Sequence, residues 1–363
     1  FKAEHPDAIR SNTLTVCVGI ESPTCDAGPE PGKHPSRISK IEQGQKFMRG
    51  AGPRLLRGRV AGTTRVKVGL RKIGDGGRKT NLVWKTARVD GATWSRRLPP
   101  LRPGRYRLFS RAIGTPARQP WIKGVNRVDF IIARKGLSRA QLRGRATSYL
   151  RLAVRTRTVR NSKLLRGWSR IALGKPRAGA KTLMGGRPSE QLEDGSFAGD
   201  LNRTAMTMIA ISGMRPAVVD RAASWIASCQ NPDGGFGFAP GAASDVDSTG
   251  LAAWALARAG RWSQVLRAAD FVRRTQNFDG GFPAVAGGDS NAQSTGLGLL
   301  AQRMARKPLL GIRTEDGISP LHYLAGLQRN NGAIRYSTTL ATTPSWVTAQ
   351  ALLGITPRAR LLR

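Results

Sequence analysis

Apolar and polar residues alternate along the chain from about Gln45 to Arg134. After Lys135 the apolar positions recur with a helical period instead. The segments RLLRGRVAG, TRVKVGLRKI, NLVWKTARV, TWSRRLPPL, GRYRLFSRAIG and NRVDFIIAR carry the period of two, and the turn signals GDGG, DG, PG and GTP separate them. Roughly six or seven short strands at this spacing predict an antiparallel β-sandwich over residues 45–134. Residues 1–44, rich in Pro, Gly, Ser and charge, predict a mostly irregular lead-in.

The helical part spans 138–357. Residues 138–172 read as helix but are overloaded with Arg, and 174–190 form a Gly/Pro-rich gap. From residue 191 a repeat governs the pattern. QNPDGGFGFAPGAASDVDSTGLAAWALARAG, from Gln230, aligns without a gap on QNFDGGFPAVAGGDSNAQSTGLGLLAQRMAR, from Gln276. Gln230, Gly234 and Gly235 match Gln276, Gly280 and Gly281, and the Ser-Thr-Gly at 248–250 matches that at 294–296. A shorter copy begins at Gln191 and a fourth at Gln328.

Each unit follows one physical logic. An amphipathic helix ends at the Gln, and Asp-Gly or Asn-Gly supplies the stop, because Gly adopts the left-handed conformation at little cost. The next Phe packs back over the helix end. A loop then leads to a Ser, Thr or Pro opening a more apolar helix, where a hydroxyl caps free backbone N–H groups. The more apolar helices belong inside a helical array and the others outside.

The Q-N-x-D-G-G-F unit and the helix opening after it resemble the prenyltransferase and squalene-oxidase repeat, whose relatives include squalene-hopene cyclases and the β subunits of protein prenyltransferases. The resemblance implies an all-α α/α toroid, concentric helices around a mostly apolar central cavity. The motifs support four helix pairs, with 138–172 as a degenerate fifth, which leaves closure of the ring on its N-terminal side open. The β region, around LPPLRPGRYRLFSRAIG, is similar in pattern to immunoglobulin-like and fibronectin-like modules, with Tyr106 and Leu108 facing inward.

Charge adds a second theme. The chain carries a net charge of +38. Residues 1–183 hold 42 basic and 9 acidic residues, whereas 184–363 hold 18 and 13. Such a field attracts polyanions. The basic residues do not cluster with aromatics in any nucleic-acid motif, so the expected partner is an anionic cell-envelope polymer rather than a specific nucleic acid. No apolar run reaches the ~20 residues that span a bilayer. The chain begins at Phe1, which fits a leader that was removed or lost, and an extracytoplasmic or secreted location is expected. Cys17 and Cys25 bracket a short loop and can pair in an oxidising compartment, and Cys229 lies on an apolar helix face. His5, His34 and His322 are far apart, so no metal spacing or cofactor is expected.

The candidate chemistry sits in DVDSTG. The segment resembles the Asp-x-Asp-Asp of class II terpene cyclases, with Ser248 in place of the third carboxylate. The resemblance implies that Asp247 is a proton donor to an alkene or epoxide, supported by Asp245, and that Trp254, Phe236, Phe238, Phe282, Tyr336 and Trp346 line the cavity that binds an apolar isoprenoid-like ligand. In the next copy Asn291 and Gln293 replace the two acids. The residues by themselves favour capping for both acids, core packing for the aromatics and a non-catalytic envelope-binding or scaffold role. A helix N-terminus lowers a carboxyl pKa, so a donor there needs burial or a like charge to stay protonated.

Overall fold

The computed structural model describes residues 35–39, 41, 43–48, 52–74, 79–115, 119–133, 136–185, 190–314, 317–338 and 340–362. Cys17, Cys25, His5 and His34 lie outside the described residues. Among the described residues up to 133, the strands are β1 Ser36–Ser39, β2 Gln45–Phe47, β3 Leu55–Val60, β4 Val66–Ile73, β5 Val83–Asp90, β6 Thr93–Arg97, β7 Gly104–Ala112 and β8 Arg127–Ile132. They make one sheet in the order β1-β3-β6-β5-β4-β7-β8-β2. β5 joins its two halves, pairing with β4 through Val83–Ala87 and with β6 through Arg88–Asp90. The sheet curls so that Leu56 and Val60 of β3 and Trp94 of β6 share a core with Val66, Val68, Leu108, Val128 and Phe130. Tyr106 and Leu108 face this core, and the Tyr106 hydroxyl donates to the Arg102 carbonyl at 2.7 Å.

Two features differ from the sequence expectation. β1 lies inside the segment expected to be irregular, because Ile38 and Ile41 add to the core. The β2–β8 pair is parallel, whereas the other ladders of this sheet are antiparallel. β2 also meets the helical region, where Met48 enters the helical core and the Lys46 carbonyl lies against Gly326.

The helices are α1 Arg139–Ala153, α2 Arg157–Asn161, α3 Lys163–Ala172, α4 Pro176–Leu183, α5 Leu201–Ile211, α6 Pro216–Ser228, α7 Val246–Arg258, α8 Trp262–Arg274, α9 Ala292–Met304, α10 Pro320–Leu327, α11 Pro344–Ile355 and α12 Arg358–Leu361. Two short strands, β9 Phe282–Pro283 and β10 Ser290–Asn291, pair ahead of α9. Inner helices α5, α7, α9 and α11 pack in succession, α3 packs on α11, and α4 rests on both α3 and α5. Helices α6, α8, α10 and α1 lie outside them. Every residue from Ser248 to Ala257 and from Ser294 to Gln302 is buried, as helices covered on both sides require.

The repeat residues explain this packing one by one. In every copy the Gln amide bonds its own loop, and in the copies that begin at Gln191, Gln230 and Gln328 it also reaches the next outer helix. Gln191 Nε2 donates to Gly195 and Val218 carbonyls, Gln230 to Gly234 and Gln264, and Gln328 to Gly332 and Leu142. Val218 is on α6 and Gln264 on α8, but Leu142 is on α1. The helix at the start of the toroid therefore occupies the outer seat that follows the last copy. The ring closes, and the closure is made by α1 with α3 and α4. The loop glycines Gly195, Gly234, Gly280 and Gly332 have φ of 93°, 85°, 87° and 93°, the left-handed conformation expected of the helix stop.

The Ser-Thr-Gly triplets divide the labour. The Thr hydroxyl accepts the backbone N–H of the loop apolar residue, Phe236 to Thr249 and Phe282 to Thr295, each at 2.9 Å. The Gly permits close approach of inner helices: a Cβ on Gly250 would meet the Leu297 carbonyl at 2.5 Å, and one on Gly296 would collide with the Gln350 carbonyl.

Candidate functional site

The inner helices α5, α7 and α9 start at one end of the ring, and each start carries the same two-position device. The cap residue holds the helix end. Asp200 accepts from the Arg203 N–H at 2.6 Å, Asp245 from the Ser248 N–H at 2.7 Å and Asn291 from the Ser294 N–H at 2.8 Å. Two residues further on, Asn202, Asp247 and Gln293 face a central cavity of about 800 Å³.

This separates the two acids of DVDSTG. Asp245 is a helix cap with counterparts in Asp200 and Asn291; its carboxylate accepts from backbone and, unlike that of Asp200, is not part of the cavity lining. The next copy replaces both acids, but at the cap position the first copy also carries an acid, Asp200. Only Asp247 is an acid without an acidic counterpart. Its Oδ2 accepts from Gln293 Nε2 at 3.2 Å. Burial raises the Asp247 carboxyl to about 6, hydrogen bonding from Ser294 and Gln293 opposes the rise, and the charge of Asp245 adds to it. Burial also raises Asp245, against the N–H groups that it caps.

The cavity has two characters. Leu164 and Trp168 of α3, Leu183 and Met184 at the end of α4, Met206 of α5, Leu251 of α7 and Leu297 of α9 make an apolar wall. Asp200, Asn202, Arg203, Asp247, Gln293 and Gln350 make a polar one. Asn202 Nδ2 donates to the Ser248 hydroxyl at 3.3 Å. Gln350 is 3% exposed, and its Oε1 has no hydrogen-bond partner among the described residues.

The aromatic residues expected in the cavity are not among its lining residues. Trp254 is fully buried low on α7, where its indole N–H donates to the Leu361 carbonyl at 3.0 Å. Phe236 and Phe282 are fully buried as the loop anchors of their repeats, Phe282 lying against Gly298. Phe238 is 62% exposed, its carbonyl accepting from Leu201 N–H. Tyr336 and Trp346 are partly buried against the helical core. Tyr336 feels the Asp247 charge, which adds to the rise that burial gives its hydroxyl. Gln230 and Gln276 bond the carbonyls of Gly234 and Gly280 within their own loops. The cavity aromatic is Trp168, in the Arg-rich segment with no repeat motif, where no sequence signal marked it. Asn202 and Gln293 were readable as the register partners of Asp247. Cys229 is a buried free thiol, its pKa raised by burial, and His322 caps α10, its ring nitrogen accepting the Ser319 N–H at 3.2 Å.

Comparison with known proteins finds a family model that matches part of the chain. Residues 191–333 match the family model described as prenyltransferase alpha-alpha toroid domain. Comparison with curated protein sequences found no match. Solved structures similar to the chain include a family 76 glycoside hydrolase from a bovine Bacteroides thetaiotaomicron strain, 9% identical, covering 88% of this chain and 99% of that one at a TM-score of 0.27. CopC from Methylosinus trichosporium OB3b is 14% identical over 28% of this chain and 99% of its own, at a TM-score of 0.20. A polysaccharide lyase is 12% identical over 74% of this chain and 38% of its own, at a TM-score of 0.23. These likenesses carry no functional information on this chain. The four-copy repeat and the inner and outer helices agree with the family model, which matches residues 191–333 as a prenyltransferase alpha-alpha toroid domain.

Proposed function

We propose that the toroid binds an isoprenoid-like amphiphile in its central cavity, with the apolar chain against Trp168, Met184, Met206, Leu251 and Leu297 and the polar end at Asp247. The observation that carries this reading is that Asp247 lines a cavity of about 800 Å³ whose other lining residues are both apolar and polar. That size suits a small-molecule ligand, and a few converging polar groups among apolar ones fix its orientation. A carboxyl raised to about 6 is partly protonated near neutral pH, so it can donate to a ligand oxygen as well as accept from one.

The same carboxyl supports a second reading, proton-initiated cyclisation with Asp247 as the acid. Against extensive cyclisation stands the lining, in which Trp168 is the aromatic contributor. One ring face contributes only about 2 kcal/mol to holding a cation. Binding without ring formation is therefore the favoured reading.

Titrating the protein with farnesol and with squalene tests both. Quenching of the tryptophan signal that disappears in Trp168→Phe supports ligand entry at the cavity, and its absence for both ligands overturns it. Cyclised product by mass spectrometry that is lost in Asp247→Asn establishes the cyclase reading. Ligand recovered unchanged from a saturated protein removes that reading.

A further inference from the structure

The sheet carries a second built feature on the face away from its core. Trp84 of β5, Phe109 of β7 and Trp121 of the β7–β8 loop form one cluster. The two indoles stack at 6.0 Å with 27° between planes, and Phe109 meets Trp121 edge-on at 4.9 Å. Gly69, in the middle of β4 and paired with both Trp84 and Phe109, leaves the space for this cluster: a Cβ there would meet the Trp84 ring at 3.0 Å.

Two arginines lie over the rings. The Arg71 guanidinium is 5.2 Å from the Phe109 centroid, and that of Arg111 is 4.8 Å from Trp121 and 5.8 Å from Trp84. Stacking on rings fixes a guanidinium while leaving N–H edges for a ligand. Neither arginine is in an ion pair among the described residues, and Arg71 Nε has no hydrogen-bond partner there. Asp129 on this face is taken up by Arg107, in two bonds of 2.6 and 2.9 Å. In the β4–β7 register Arg71 faces Arg107 and Arg111 faces Lys67, so the backbones of Arg71 and Arg111 are offset by roughly 13 Å along the strands, with both guanidinium groups leaning over the aromatic cluster. Beside Arg111, a groove of about 630 Å³ is lined by Thr115, Gln119, Pro120 and Trp121. Residues 45–134 hold 23 basic and three acidic residues.

We infer that this face is a binding site for an acidic polysaccharide, with Arg71 and Arg111 each taking a carboxylate and the groove taking neighbouring sugar hydroxyls. Guanidinium forks match carboxylates in two parallel bonds, and two such forks on one face can take two acids of the same polymer. Single-stranded nucleic acid is the less fitting polyanion. It needs open aromatic faces for bases to stack on, and here the indoles stack on each other beneath Arg111. The inference is independent of the toroid reading.

The test is binding of the full chain to polygalacturonate, neutral dextran and oligo(dT) at the same salt concentration. Polygalacturonate is expected to bind and dextran not. Arg71→Gln with Arg111→Gln is expected to weaken polygalacturonate at least about tenfold, whereas Arg57→Gln with Arg59→Gln, removing equal charge from exposed positions of β3, changes it by less than about twofold. Arg111→Lys, which keeps the charge and loses the planar fork, is expected to weaken it as well. Thermal unfolding of each variant checks that the sheet remains folded. Equal losses in the two double variants would reduce the effect to diffuse charge and overturn the site. Tighter binding of oligo(dT) through the same two arginines would overturn the polysaccharide, as would no retention of polygalacturonate.

Discussion

Replacing Asp247 by Asn tests whether burial holds this carboxyl where the cavity geometry places it. Asn has nearly the same shape and cannot ionise. The aspartate carboxyl rises from its ordinary 3.8 to about 6 in the folded chain. At about 1.4 kcal/mol per pH unit, ionised Asp247 costs the folded state up to about 3 kcal/mol, a ceiling because the residue is partly exposed. The direction follows from linkage. A raised carboxyl pKa means that the folded chain binds this proton more tightly than the unfolded chain. The resulting stability is fully present below the ordinary value of 3.8 and is lost as the pH rises through about 6. Asp247→Asn should therefore match the wild type at low pH and exceed it by up to about 3 kcal/mol above about pH 7. Urea unfolding followed by helical circular dichroism, run on both proteins across this range, gives the difference directly, and effects of other titrating groups cancel. A difference that does not change with pH, or a variant less stable than wild type at the alkaline end, would refute the buried-acid geometry.

Other residues give independent checks. Gln293→Leu removes a hydrogen bond that favours the ionised carboxylate, so the Asp247 titration, read by carboxyl NMR, should move above about 6. Thr249→Val leaves the buried Phe236 N–H without its acceptor and should cost about 1–3 kcal/mol in chemical unfolding, far more than a surface Thr→Val. Gly296→Ala drives a methyl into the backbone of α11 and should lower stability by about 1–3 kcal/mol or more, seen as a depressed melting temperature. Trp254→Phe removes the donor to the Leu361 carbonyl and should cost about 1 kcal/mol, with the end of the chain exchanging amide hydrogens faster.

Much of the toroid was readable because its loops are local. A Gln, an Asx-Gly turn, an apolar anchor and a hydroxyl before Gly each have a short-range job, so spacing alone marks helix stops, helix starts and the inner helices. The two acids of DVDSTG had to be parted by structure. Both stand at a helix start, and one residue between them turns Asp245 into a cap and Asp247 toward the cavity. Even so, the alignment of Asp247 with Gln293 pointed to a shared position that proved to line the cavity.

By itself the sequence determined the two-part division, the repeat with its capped inner helices, and the strong positive charge of the β region, since each depends on residues near one another along the chain. Tertiary structure decided the rest. Ring closure depends on Gln328 of the last repeat reaching Leu142 of the first helix, a contact across 186 positions. The cavity aromatic came from α3 rather than from the repeats, because closure brings the Arg-rich helices to the open side of the ring. The aromatics nearest the motif were consumed as loop anchors and core. Placement around a closed ring, and not residue type or spacing, selects which side chains a ligand can meet.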